Sequence, residues 1–555
     1  MIRTARRILL WVIVLAALLC CGYVAAFVIP FAGSVDGPVR PIPQGLPYPG
    51  EFVRDLWSDV FSPGDELPAQ CGDVIRFLPV DAPRPIAHVA IPQHPFMASN
   101  AGNNMHCDAY ISDTYEASGP LGVNPRIDSR TQGFGGYGTV TIDRAGNLVA
   151  VHSNGRRFQL ELLDPITLEE LASYDLPPRP WYWLLQGIMP WQYIGAGMYF
   201  YFDEQDRAVV PTTENTIQVV AVPEVGGEFE LVREIDLSEH VVQMRWPKRD
   251  SVAWVLPDWS GTHYWFATTA GVVGTVDIDL GAVQTLRLDG EIIENSFAVA
   301  EDGAYVLSDQ ALYRLTIAGA DADGGAGAVV IDWRTPYDRG PKKKPGHITR
   351  GSGTSVTLMG DPNGLVAITD NAEPRIHLIL LRRSDGTEVC RVPLFEEGKS
   401  GTDVSVGCFE HADPSGDGTG VYSVLVENNW GRNTFPRSRP APGLTRVDIV
   451  RRDDGTYACE EVWSSDERSI CVFKLSLGAG LAYLYWRSED CPITTWYLTA
   501  IDFATGETVY KVRVGAGLGF NNWAGALFLH PDGALYSTTI FGLVRIEDRP
   551  DESAT

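Results

Sequence analysis

From Tyr137 almost to the C-terminus, short runs rich in Val, Ile, Leu, Tyr and Phe are separated by turns built on Asp, Gly or Pro. The second run of a pair often closes on an Asp/Glu-Asn cluster. Short apolar runs bounded by such turns predict β-strands joined as antiparallel hairpins. The first unit carries the whole phrase, with strands expected at 138–142, 148–152, 158–163 and 168–176. Eight turn phrases mark the repeat: Asp143-Arg-Ala-Gly-Asn147, Asp203-Glu-Gln-Asp206, Pro247-Lys-Arg-Asp250, Glu301-Asp-Gly303, Asp361-Pro-Asn-Gly364, Asp413-Pro-Ser-Gly-Asp-Gly418, Leu477-Gly-Ala-Gly480 and Pro531-Asp-Gly533. They recur about every 45 to 65 residues, slightly longer than the roughly 40 to 50 of well-known propeller blades. A four-stranded unit of that size cannot bury both faces alone, and radial stacking around an axis solves the problem. The expected fold is all-β, an eight-bladed β-propeller over 137–550, with seven blades as the alternative if 241–288 is an insertion.

The last unit supplies three strands, 526–530, 534–538 and 543–547, so its fourth must come from elsewhere. Residues 86–91 (Ile-Ala-His-Val-Ala-Ile) are the expected donor, within a segment 86–136 that also caps one mouth of the channel. Closure of this kind removes two open sheet edges. Upstream, 34–85 is a Pro/Gly-rich spacer and irregular prelude, and 551–555 is a tail.

The first 33 residues change the picture. Arg3, Arg6 and Arg7 precede an apolar stretch over 8–32, broken only by Gly22 and Pro30. That length suits an N-terminal transmembrane helix, a signal-anchor with the arginines inside and the body extracytoplasmic. The alternative, a signal peptide cleaved near Val24-Ala25-Ala26, yields a secreted or periplasmic body. The formal charge of -26 disfavours nucleic acid as a partner. Seven cysteines lie beyond the apolar stretch, none at CxxC spacing, and so predict disulfides in an oxidising compartment. Proximity in sequence favours Cys71 with Cys107 and Cys390 with Cys408, although connectivity is open from sequence alone.

Two phrases carry a family likeness. Ala500-Ile-Asp-Phe-Ala-Thr-Gly-Glu-Thr-Val-Tyr510 resembles the blades of quinoprotein-like propellers, and Asn295-Ser-Phe-Ala-Val-Ala-Glu-Asp-Gly-Ala-Tyr-Val-Leu-Ser-Asp309 resembles the SMP-30/strictosidine-synthase-like group. The likeness spans about 137–547 as architecture and is shared by proteins of unlike activity. The second group implies a mouth-bound divalent ion polarising a lactone or ester carbonyl. The first implies a planar quinone, for which Lys474 and Trp523 are the nearby cationic and stacking groups.

Propeller geometry gathers the ends of second strands with the starts of first strands at one channel mouth. Asn295, Asp370, Asn371, Glu427 and Asn428 fall at such positions and form a candidate site for Ca2+, which takes six to eight oxygen ligands. Asp and Asn are also favoured turn residues, the competing account of the same positions. In the prelude, Asn103-Asn-Met-His-Cys-Asp-Ala-Tyr-Ile-Ser-Asp113 concentrates acid/base groups. There His106 is a candidate base oriented by Asp108 or Asp113 should this segment fold over the mouth, and His347 is a second candidate. Residues 181–191, with three Trp, are an aromatic connection suited to interblade packing, lipid contact or an apolar pocket wall. Nucleophile-elbow, HExxH and Walker motifs do not occur.

The leading expectation is a membrane-anchored extracytoplasmic propeller that binds a ligand at one mouth. A metal-dependent lactonase or esterase and a quinoprotein-like oxidoreductase are the alternatives.

Overall fold

A computed structural model describes residues 40–44, 71–80, 82–131, 135–180, 182, 195, 197–245, 249–319, 327–412, 421–432, 440–488, 491, 494–522 and 524–549. Their strands form eight antiparallel-based sheets arranged as the blades of a propeller. Blade 1 comprises Gly136–Ile142, Leu148–Ser153, Phe158–Leu163 and Glu170–Leu176, close to the expected strands. The innermost strands of blades 2 to 8 are Tyr201–Phe202, Val252–Pro257, Ala298–Ala300, Thr357–Met359, Gly407–His411, Lys474–Ser476 and Leu527–Leu529. In blade 1 the two middle strands are buried almost throughout, whereas the outer strand alternates, so apolar surface is shared between neighbouring sheets.

Residues 241–288 are a blade rather than an insertion, since Val252–Pro257 to Val283–Arg287 make blade 3. Its first hairpin turns at Asp258–Thr262, where Asp258 Oδ1 accepts from His263 N at 2.7 Å. Of the phrase Pro247-Lys-Arg-Asp250, residues 247 and 248 lie outside the described residues, and Asp250 leads into the first strand, accepting from Ser251 N and Ala270 N. An Asp/Gly/Pro phrase marks a reversal without saying which two strands it joins.

Blade 8 is closed by a strand from the prelude, but the donor is Pro125–Arg130, antiparallel to Gly542–Asp548. Residues 86–91, the donor expected from sequence, go elsewhere: His88–Val89 pairs with His411 and Glu410 at the end of the blade 6 inner strand. The final blade needs an outermost strand, and Pro125–Arg130 reaches that edge just before the chain enters blade 1.

The rest of the prelude flanks blade 7 and then fills the axle. Val74–Arg76 adds an outer strand to blade 7. Residues 102–115 run inside the channel, where their carbonyls accept from inner-strand N–H groups. Gly102 O takes Ile142 N, Asn103 O takes Phe202 N, Ala109 O takes Val299 N, Tyr110 O takes Leu358 N, Ser112 O takes Cys408 N and Asp113 O takes Leu475 N. Buried N–H groups need partners, and this winding segment satisfies those at the inner edges of six blades. Its turns place Cys107, Ile111 and Asp113 at φ 80, 60 and 51, a left-handed region that is a true outlier for β-branched Ile111. The segment therefore plugs the channel instead of capping its mouth.

Two disulfides join distant parts, Cys71–Cys491 and Cys390–Cys459. Both differ from the proximity pairing, and Cys107, Cys408 and Cys471 are free and buried. Inward-facing strand residues are kept apart by the radial packing, whereas Cys390 and Cys459 lie on the outer strands of adjacent blades. Among the described residues no helix is long and apolar enough to cross a membrane. The apolar stretch 8–32, most of 181–191, Asp413–Gly418 and Trp523 lie outside the described residues.

Candidate functional site

Inside the plugged axle, His106, Asp113, Ser405 and Lys474 form one buried network. His106 Nδ1 lies 3.2 Å from Asp113 Oδ1 and 3.1 Å from Ser405 Oγ, and Nε2 lies 3.4 Å from Ser355 Oγ. Ser405 Oγ and Lys474 Nζ both donate to Asp113, and Lys474 also donates to Met105 O at 2.8 Å. Of the two carboxylates expected to orient His106, Asp113 is the one that does so. Asp108 holds the turn instead, with Oδ1 accepting from Tyr110 N and Ser112 N, while burial pushes its pKa up to about 7. The adjoining cavity, lined by residues including His106, Tyr199 and Trp254, measures only about 20 Å³. That accommodates about one water-sized group, too little for an organic ligand in this cavity.

One layer outward, at the face where first strands begin, a second cluster forms the entry mouth. The Tyr199 ring stacks over His106 at a centroid distance of 6.0 Å, and its hydroxyl donates to Asn295 Oδ1 at 3.3 Å. Asn295 Nδ2 donates to Gly353 O and to Asp403 O, tying the loops before blades 4, 5 and 6 together. Asp403 Oδ2 pairs with Arg432 at 2.9 Å, both side chains under a tenth exposed, while Asp403 Oδ1 has no protein partner. Glu427 ends the second strand of blade 6, with Oε1 accepting from Asn429 Nδ2, the Ser469 side chain beside the carboxyl, and no bond of good geometry at Oε2. Burial pushes its pKa up to about 8, against the attraction of Arg432. His347 is 3% exposed with neither ring nitrogen bonded, and burial pushes its pKa down to about 4 despite Asp403. Lys344 is lowered to about 8, chiefly by burial, and donates to Ala372 O and Ser400 O at 2.8 Å.

Of the five candidate calcium ligands, Asn295 and Glu427 thus belong to the mouth. The other three serve the connections between strands. Asp370 Oδ1 accepts from His377 N, and Oδ2 meets His377 Nδ1 at 2.8 Å and Arg391 at 2.9 Å. Asn371 Nδ2 donates to Arg339 O, Lys342 O and Arg350 O. Asn428 donates to Lys399 O and Pro442 O and accepts from Gly401 N and Trp430 N. Among the described residues no group of three or more His, Cys, Asp and Glu is arranged to hold a metal ion. Asp403, Arg432 and Tyr199, central to the mouth, were missed by sequence reading. Asp403 and Tyr199 sit in connections between blades and Arg432 in the connection between the second and third strands of blade 6, outside any hairpin phrase, and only the fold brings them together.

No family model matches the chain. A protein of Archaeoglobus fulgidus described as uncharacterized is 25% identical over 307 residues, which are 51% of this chain and 58% of that relative. The chain therefore spans little more than half the length of the relative it matches. Solved structures with a similar fold include quinohemoprotein alcohol dehydrogenase from Comamonas testosteroni (10% identity, 82% of each chain, TM-score 0.48). Streptogramin B lyase is 10% identical over 76% of this chain and 98% of that chain, with a TM-score of 0.33. The Cps50 (Swd1) propeller domain of Myceliophteria thermophila is 10% identical over 52% and 81%, with a TM-score of 0.31. These are likenesses at the level of the propeller fold and carry no chemistry across.

Proposed function

We propose that the protein is an extracytoplasmic propeller that binds a small-molecule ligand at its entry mouth. The observation that carries this reading is the convergence of unpartnered, buried polar atoms there: Asp403 Oδ1, Glu427 Oε2 and both ring nitrogens of His347. Perturbed ionisable groups gathered in one place are candidates for a functional site. Propeller connections at this face come from several blades, so a site built there draws on many independent loops over a rigid body. Two disulfides support an oxidising compartment, consistent with the arginine-flanked apolar stretch at the N-terminus.

Native mass spectrometry of the body incubated with the low-molecular-weight fraction of a cell extract tests the reading. A discrete adduct is expected on the wild-type protein and not on Asp403→Asn. Identical spectra for the two proteins would overturn it. Protease added to intact cells should digest the propeller, and protection until lysis would refute the extracytoplasmic placement.

A further inference from the structure

The mouth holds a defined set of donors and acceptors that the chain itself leaves unmatched. His347, kept uncharged by burial, carries one N–H and one lone pair, both buried. Asp403 Oδ1 is an acceptor. Burial favours the protonated form of Glu427, whose Oε2, beside Ser469 and without a bond of good geometry, then offers a donor. Each buried polar atom left unmatched carries a desolvation penalty, so this set selects for what can answer it.

Charge narrows the choice. Arg432 and Asp403 neutralise one another at 2.9 Å. Lys344 is engaged by two carbonyls and faces Glu373, Asp370 and Asp338. Glu294, raised by burial, accepts from Ile348 N and Thr349 Oγ1 and holds the His347 loop. A ligand anion would meet Asp403, and a ligand cation would meet Arg432; either would bury a charge without a free counter-ion. A hydroxyl both donates and accepts, and several on one frame answer an imidazole, a carboxylate and a carboxylic acid together.

We propose that the entry mouth recognises an uncharged, hydroxyl-rich ligand, a sugar or polyol, through His347, Asp403 and Glu427. This rests on the mouth being the binding site. The test is binding of the labelled protein to an array of neutral oligosaccharides and polyols beside their carboxylated and aminated counterparts. Saturable binding to neutral members is expected, reduced at least tenfold by Asp403→Asn and by His347→Phe. Glu427→Leu, which removes the polar end of that side chain, should match these losses. Each variant is first shown to unfold cooperatively, as wild type does. Binding confined to charged members, or neutral binding that Asp403→Asn and His347→Phe both keep, would overturn the proposal. An array with no bound member overturns it as well. The adduct experiment with cell extract then decides separately whether the mouth binds a ligand of another class.

Discussion

Arg130, on the strand that closes blade 8, reaches Glu161 of blade 1 at 2.9 Å, and both side chains are buried to within 1%. Tyr137 donates to the same Glu161 oxygen at 2.8 Å, and His152 Nδ1 lies 3.2 Å from the other. This clasp joins the two ends of the ring where the last blade meets the first. Burial pushes the Glu161 pKa up, but His152 and Arg130 more than offset it, and the carboxyl stays below its ordinary range. Removing one partner of a buried pair leaves the other charge uncompensated, so Arg130→Ala should destabilise by about 3–5 kcal/mol in denaturant titration. Arg130→Met with Glu161→Leu should recover much of that loss. The depressed pKa adds stability that is present above the unfolded carboxylate range and lost as pH falls through the folded value. The double variant should therefore lose less stability on acidification than wild type.

The axle invites a parallel test. Lys474 and Asp113 are both fully buried and bonded to one another. Asp113→Ala leaves Lys474 in the channel donating to Met105 O without its counter-ion, and a loss of about 3–5 kcal/mol is expected. Lys474→Met combined with Asp113→Leu should be milder than either single change. Equal, additive losses measured by denaturation would show that the two residues act independently.

The blade count was legible because each blade repeats its own local chemistry. Seven of the eight turn phrases fall between the first two strands of a blade, the misplaced one being Pro247-Lys-Arg-Asp250. Strand identity on the outer hairpins was equally local, as at Leu381 to Val389, where the turn follows from Asp385 and Gly386. What escaped was long-range: which prelude segment closes blade 8, and that 102–115 enters the channel. Those outcomes depend on pairing edges hundreds of residues apart, such as Thr114 with Leu475. The disulfides failed for the same reason, with Cys71 and Cys491 separated by 420 residues. At the mouth, Asn295 and Glu427 were legible as strand-end positions, whereas Asp403 and Arg432 lie in linkers that have no sequence period.

Calcium supplies a sharp readout of how strand-end residues are used. Asp370 already accepts from two backbone N–H groups and contacts His377 and Arg391 through its other oxygen. A ligating oxygen must present free lone pairs, so added calcium is expected to leave the melting temperature of the wild-type protein unchanged. Asp370→Ala should lower that temperature through the lost contacts, by about 1–3 kcal/mol in stability, equally with calcium or chelator. A calcium-dependent rise in wild type that Asp370→Ala abolishes would instead assign Asp370 to a cation site.

Glu427 and His347 give the mouth opposite pH responses. The Glu427 carboxyl titrates near 8 in the folded protein, displaced upward by burial from an unfolded value near 4.5. Between these values the native state binds more protons than the unfolded one, so its contribution to stability falls as pH rises and levels off above about 8. His347 is displaced downward by burial, from 6.5 to about 4. There the unfolded state binds more protons, so stability falls as pH drops from 6.5 towards 4. Glu427→Gln removes the first dependence and keeps the shape, and its stability relative to wild type should rise steadily from pH 5 to pH 8. His347→Phe should flatten the acid limb instead. Denaturation midpoints for the three proteins across pH 4 to 9 check both signs. A Glu427→Gln profile parallel to wild type would mean that the carboxyl is ionised in the folded protein, leaving the mouth with a negative charge and no carboxylic acid donor.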